Sequence, residues 1–171
     1  MNKRNSLLVT LLSYDRLHLR ALAREIGLHP STVKKFVLEL ENEGVLNLTK
    51  DDKLLISFAD TKKAMLTKTY FLQMQLLQTT LLTDLNDILF EPTIILFGSC
   101  AKGEMTKESD IDICVICDEP KEFSVTKYEE FLGREIHLFT YTKTDFRKLP
   151  KELRNNVLNG IVLQGFIEAY E

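Results

Sequence analysis

Apolar positions along this chain repeat with two different spacings, and the change from one to the other divides it. Val33, Phe36, Val37 and Leu40 recur three and four residues apart, which places them on one helical face and predicts a buried-faced helix over 31–43. Ser31 offers an N-cap and Gly44 a stop, while Thr32, Lys34, Lys35 and Glu39 are left facing outward. A shorter helix is predicted over 19–26, joined to the first by the turn Gly27-Leu28-His29-Pro30. Residues 60–82 contain neither Gly nor Pro and carry a broad apolar stripe that includes Tyr70, Phe71, Met74 and Leu77, so one long helix is expected there. A lone helix this apolar needs a partner, either within the chain or on a second copy, with Phe71, Met74 and Leu77 as the expected self-association face. A second helix, about 84–89, ends before Glu91-Pro92.

Beyond Pro92 the helical spacing gives way to short unbroken runs. Ile94-Ile95-Leu96-Phe97 and Ile113-Cys114-Val115-Ile116-Cys117 are candidates for buried strands. Tyr128 to Leu132 reads as the end of a short element closed by Gly133, Arg134 to Tyr141 as a third strand, and 149–159 as a helix. On the third strand Glu135 and His137 share one face and Ile136 and Leu138 the other.

Composition adds bounds rather than detail. The 171 residues allow one domain or two small ones, and 44% hydrophobic with 27% charged residues is ordinary for a globular protein. No run approaches the length of a membrane span, and the first residues lack the apolar core of a signal peptide, so a cytoplasmic location without a membrane partner is expected. Three cysteines argue against a disulfide framework; Cys114 and Cys117 lack the second ligand pair of a zinc site and read as core residues. Charge is uneven. Residues 1–36 carry seven basic side chains against two acidic ones, a net of +5 in a chain of net −3, which points to a polyanionic partner for that end. His18 and His29 fall at element edges and read as surface.

The candidate chemistry lies between the two apolar strands. Gly98-Ser99 is followed after ten residues by Asp110-Ile111-Asp112, with Ser109 just before the first aspartate. Alternation along a strand puts Asp110 and Asp112 on one face, so two carboxylates converge in the way that suits Mg²⁺, a hard cation bound by carboxylates and substrate phosphates. Gly98 permits close approach of the backbone to a triphosphate, and Ser99 supplies a hydroxyl and a main-chain N–H.

This pattern resembles the DNA polymerase β-type nucleotidyltransferases, specifically the minimal nucleotidyltransferases, over roughly residues 94–165. The resemblance implies that Gly98 and Ser99 form the nucleotide-phosphate turn, with Ser109 beside it, and that Asp110 and Asp112 hold Mg²⁺ or Mn²⁺ on a nucleoside triphosphate, ATP being the expected one. It also implies a short terminal strand near Ile161 to Gln164. Where the family often has two arginines after Gly-Ser, this chain has Cys100-Ala101-Lys102, so Lys102 stands in for one basic partner and the other is missing. The third carboxylate of the family matches Ile136-His137-Leu138, which puts His137 in its place, as a candidate general base; Glu135 is a substitute carboxylate two residues away.

The stretch Leu19 to Leu28 followed by Ser31-Thr32-Val33 resembles a winged helix-turn-helix of prokaryotic transcription regulators, over roughly residues 6–58. By that resemblance Val45 to Leu48 and Leu54 to Phe58 are wing strands and Thr49 to Lys53 the turn between them. Helix 31–43 would lie in the major groove, with Ser31, Thr32, Lys34 and Lys35 towards DNA and Lys50 and Lys53 at the wing. The expected architecture is therefore α+β: a winged helix-turn-helix over 1–59, connecting helices over 60–90, and a small α/β nucleotidyltransferase domain with a mixed sheet over 91–171. Three functions fit it: nucleotidyl transfer to a partner, antitoxin-like, with a companion toxin of the HEPN type; a DNA-binding transcription regulator whose degenerate domain only binds nucleotide; and a winged-helix homodimer.

Overall fold

The computed structural model describes residues 2–50 and 53–167, and the chain divides into two compact units. The first takes in the chain up to Leu72 together with Met105–Lys107, and the second takes in Gln73–Glu104 and the chain from Glu108 on. Among the described residues no helix is long and apolar enough to cross a membrane.

In the first unit the order is α1 (Lys3–Leu12), β1 (Arg16–His18), α2 (Leu19–Glu25), α3 (Pro30–Asn42), β2 (Leu46–Lys50) and β3 (Leu54–Phe58). The strands form an antiparallel sheet in the order β1-β3-β2. This helix–strand–helix–helix–strand–strand path is that of a winged helix. Its core is made by the faces expected from spacing: Leu7 and Leu11 of α1, Leu22 of α2, Val33, Val37 and Leu40 of α3, and Ile56 of β3 are all buried. Each such side chain contributes roughly 1.5–3 kcal/mol of transfer free energy, more than any surface ion pair in the unit.

Two details differ from expectation. Ser31 is not the N-cap of α3. Proline, with φ preset near the helical value and no N–H to satisfy, fits the first helical position, so the helix begins at Pro30 and His29 caps it, Nδ1 accepting from the Ser31 N–H at 3.3 Å. The second is β1, whose three residues are too few to show a period, yet pair with β3 along Arg16↔Ser57 to His18↔Leu55. Of the turn between β2 and β3, Asp51 and Asp52 lie outside the described residues.

The connecting stretch is also divided differently. Thr61 starts α4 (Lys62–Gln78), its hydroxyl accepting from the Ala64 N–H at 3.0 Å. The helix expected to reach residue 82 stops at Gln78. There Thr79 diverts the backbone, its hydroxyl donating to the Leu76 carbonyl at 2.6 Å and accepting from the Leu81 N–H at 3.2 Å, a local competition that needs no Gly or Pro. α5 (Leu81–Leu89) follows. Phe71, expected on an outward face with Met74 and Leu77, is buried; the outward apolar line is Leu66, Tyr70, Met74 and Leu77.

The second unit continues with β4 (Thr93–Phe97), α6 (Gly98–Lys102), β5 (Ile111–Ile116), α7 (Thr126–Leu132), β6 (Ile136–Tyr141), α8 (Lys143–Lys148), α9 (Lys151–Leu158) and β7 (Ile161–Gln164). The sheet order is β6-β5-β4-β7, with β5 and β6 parallel and the other pairs antiparallel, so the sheet is mixed as expected. Ile113, Cys114 and Val115 of β5 are fully buried, because helices or neighbouring chain cover both faces of a central strand. Cys114 packs with Ile95, Phe97, Ile116, Phe146 and Val157, and burial pushes its thiol up to about 12, which makes it an inert core residue. α5 and α7 are tied by Asp84, which accepts from Lys127 Nζ at 2.7 Å, from the Thr80 hydroxyl at 2.8 Å and from the Tyr128 hydroxyl.

Candidate active site

The site is assembled where β4 ends and β5 begins. Phe97, the last residue of β4, is paired with Asp112, so the chain leaving β4 must turn directly over that carboxylate. Gly98 makes this turn at φ +70°, and a Cβ built on it would stand 2.2 Å from Asp112 Oδ2. The sequence suggests that Gly98 is there for a triphosphate; the structure shows a nearer reason, which is room for the aspartate.

Gly98 and Ser99 are not a bare turn but the start of the one-and-a-half-turn helix α6, which Gly103 ends at φ +74°. Ser99 is partly exposed in its first turn and Lys102 exposed in its last. Cys100 points inward and is buried; its Sγ donates to the Asp110 carbonyl at 3.1 Å, pinning the residue that carries the first carboxylate. Burial raises the Cys100 thiol to about 11, with the Asp112 and Asp110 charges adding to the rise and the Arg134 guanidinium opposing it. It therefore serves as a neutral anchor and not as a nucleophile.

Arg134 was not singled out by its sequence context. Its Nη1 donates to the Ser109 carbonyl at 2.8 Å, so it holds the residue just before Asp110 and brings a fixed positive charge to the site. Only its position, immediately after the Gly133 stop and before a strand, signals it in the sequence.

β5 starts at Ile111, two residues earlier than the apolar run alone indicates, so Asp112 lies within the strand. Parallel pairing with β6 then fixes the rest. Asp112 stands opposite His137, and the Ile111 N–H donates to the Glu135 carbonyl at 2.9 Å, where the β5–β6 ladder begins. His137 Nδ1 lies 3.4 Å from Asp112 Oδ1, and Nε2 lies 3.8 Å from Asp110 Oδ2. One donor atom each from Asp110, Glu135 and His137 falls within 4.8 Å of the others. The two-residue offset that separates Glu135 from the expected carboxylate position is thus the same offset that separates Asp110 from Asp112. The side chains of Asp110 and His137 are 41% and 47% exposed and that of Asp112 26%, so the groups remain reachable by a ligand.

This donor set fits a divalent cation. Carboxylate oxygens are the ligands that Mg²⁺ and Mn²⁺ require, and the imidazole is compatible with the softer of such ions. When bound, such an ion would offset the charge of a triphosphate and polarise its phosphorus–oxygen bonds.

The residues expected to face DNA lie in the first unit. Ser31 and Thr32 open α3, where the Ser31 hydroxyl is engaged with His29 Nδ1 at 2.8 Å; Lys34 and Lys35 are exposed on the same helix. Lys50 ends β2 and Lys53 precedes β3, both exposed. Lys53 also lines a cleft of about 510 Å³ with His18, Arg20 and Arg24, over an apolar floor of Leu19, Ala21 and Leu54. Sequence spacing does not reveal that grouping, because it joins α2 to the far side of the wing.

A solved structure of a MarR family transcriptional regulator from Silicibacter pomeroyi DSS-3 is 19% identical, covers 50% of this chain and 62% of its own, and aligns with a TM-score of 0.41. The "Putative protein adenylyltransferase" of Methanocaldococcus jannaschii is 46% identical over 55 residues, which make up 28% of this chain and 55% of that protein; the chain thus spans about half the length of this curated relative. The family model of the nucleotidyltransferase domain matches residues 81–163. That segment holds α5 to all but the last residue of β7, with the Gly98–Ser99 helix start, the aspartate pair and the β5–β6 rungs, so it is this part of the chain that is similar to nucleotidyltransferase domains.

Proposed function

We propose that the protein transfers a nucleotidyl group from a nucleoside triphosphate, ATP above others, to a hydroxyl on a partner protein in a reaction dependent on a divalent cation, and that its winged helix binds duplex DNA. The observation that carries the first part is Asp112 set against the start of α6, with His137 beside both it and Asp110, within a segment that matches the nucleotidyltransferase domain. In this reading Asp110 and Asp112 hold Mg²⁺ or Mn²⁺. Ser99 and Lys102 bind the phosphates, Ser109 borders the nucleotide, and Arg134 adds the positive charge that the sequence lacks after Ser99. His137 takes the proton of the attacking hydroxyl. The acceptor oxygen forms a bond to the α-phosphorus as the bond to pyrophosphate breaks, and the proton is left on the imidazole. The name of the archaeal relative supports a protein acceptor, and a companion toxin of the HEPN type is the partner that an antitoxin role implies.

The DNA-binding part rests on the winged-helix path of the first unit, on Lys34, Lys35, Lys50 and Lys53, all exposed, and on the +5 balance of residues 1–36. We take residues 1–59 as the DNA-binding part, 60–90 as the connection and 91–171 as the transferase part.

A second reading is favoured by one observation: an imidazole stands opposite Asp112 where the resemblance implies a carboxylate. There the domain binds nucleotide without transferring it, and the protein is a nucleotide-responsive regulator. Incubation with α-labelled ATP, Mg²⁺ or Mn²⁺ and cell lysate tests both. Transfer of label to a protein, lost in the Asp110→Asn, Asp112→Asn double variant, is the result expected of the enzyme. Metal-dependent ATP binding with no label transferred and no pyrophosphate released is that expected of the sensor. Equal ATP binding by wild type and double variant refutes both.

A further inference from the structure

The parallel pairing of β5 with β6 brings to the site a donor of a different chemical kind from its carboxylates. His137 is opposite Asp112, Glu135 comes within 4.8 Å of Asp110 and His137, and the imidazole presents a nitrogen to each aspartate, at 3.4 Å and 3.8 Å. Ligand atoms about 2.0–2.2 Å from one ion stand about 3–4.4 Å apart, so the donor atoms of Asp110, Glu135 and His137, all within 4.8 Å of one another, need only draw in by side-chain rotation to share an ion. Half-exposed side chains make such a shift without disturbing the core.

We propose that the ion bound at the aspartate pair is a borderline first-row transition cation that takes one nitrogen of His137 as a ligand, with Glu135 adding a carboxylate, in preference to Mg²⁺. This rests on the metal-dependent reading of the site given above and replaces the general-base role of His137 in it, since a nitrogen bound to the ion cannot take a proton and the other then carries its own. Mg²⁺ demands near-ideal octahedral oxygen coordination and dehydrates reluctantly, so a neutral nitrogen donor does little for it, whereas imidazole suits the later first-row ions and their affinity rises along the series. Whichever nitrogen takes the ion, the other stays beside a carboxylate. That is the arrangement which fixes the ring and tautomer of a metal-binding histidine. The alternative is that His137 is only a neighbour that partly balances the two aspartates.

Isothermal titration of the full chain, free of nucleotide, with Co²⁺ and separately with Mg²⁺ decides between them. The proposal expects Co²⁺ to bind more tightly than Mg²⁺, His137→Ala to weaken Co²⁺ by about tenfold or more, and the same change to leave Mg²⁺ within about twofold. His137→Asp should strengthen Mg²⁺ binding without restoring Co²⁺. Because His18 and His29 are exposed in the first unit, the wild-type-minus-variant difference is the quantity read. The d–d absorption of bound Co²⁺ gives a second signal, lost in His137→Ala if the nitrogen is a ligand. Co²⁺ affinity and spectrum unchanged in His137→Ala overturn the proposal, as does an equal change for both ions. If Co²⁺ requires His137 while ATP binding ignores Asp110 and Asp112, the nucleotidyltransferase reading fails and the metal inference stands; the reverse result fails the inference alone.

Discussion

Gly98 and Asp112 are fourteen positions apart and occupy one place. With φ at +70° and the carboxylate oxygen where a Cβ would be, Gly98→Ala meets two penalties: about 1–2 kcal/mol of backbone strain, and displacement of Asp112. The variant should stay folded, melt a few degrees lower, and lose most metal-dependent nucleotide binding, which calorimetry with ATP would read; undiminished binding would mean that Asp112 is not a ligand. A second residue-scale expectation concerns acid. Hydrogen bonding from Lys127 first, then from Tyr128 and Thr80, lowers the Asp84 carboxyl from 3.8 to about 2. A carboxylate with a depressed folded pKa stabilises the fold above its unfolded value, and that contribution is lost as pH falls. Asp84→Asn should therefore melt below wild type at neutral pH, with the gap shrinking between about pH 4 and pH 2 and closing there. Since the pair is at the surface the gap is small, and a gap independent of pH would show that packing, not charge, joins α5 to α7.

At the scale of elements, what was legible in the sequence follows from which signals are local. The apolar face of α3 and the buried run of β4 were legible because burial repeats with the period of the backbone, and the Gly-Ser…Asp-x-Asp spacing carried its own chemistry. The cap of α3, the break after Gln78, β1 and the approach of Glu135 to Asp110 were not, because each depends on a single side-chain hydrogen bond or on register with a distant strand. Two predictions belong here. If α3 reads DNA, Lys34→Glu with Lys35→Glu should lower the slope of log affinity against log salt by about 0.9 for each phosphate that the protein no longer neutralises; an unchanged slope removes α3 from the interface. If the protein pairs with itself through α4, the structure moves the pairing face from Phe71 to the line of Leu66, Tyr70, Met74 and Leu77. Tyr70→Glu should then convert a sedimenting dimer to monomer, whereas Phe71→Glu should instead unfold the protein by burying a charge. Wild type that sediments as a monomer at high concentration ends the idea.

For the whole molecule, a change of backbone period near Pro92 was enough to foresee an α+β chain. Where one unit gives way to the other was not foreseeable, since compactness is a property of contacts that no window of sequence contains. The division falls between Leu72 and Gln73, inside α4, which runs without interruption from Lys62 to Gln78. Most multidomain chains offer a protease an exposed, extended linker; here Lys68 presents trypsin with a peptide bond inside a helix. Brief digestion should therefore spare this stretch, and a gene cut at the boundary would give two fragments that each carry part of the helix, split between buried Leu72 and buried Leu76. Anyone wishing to study either half alone must take the whole of α4 with it.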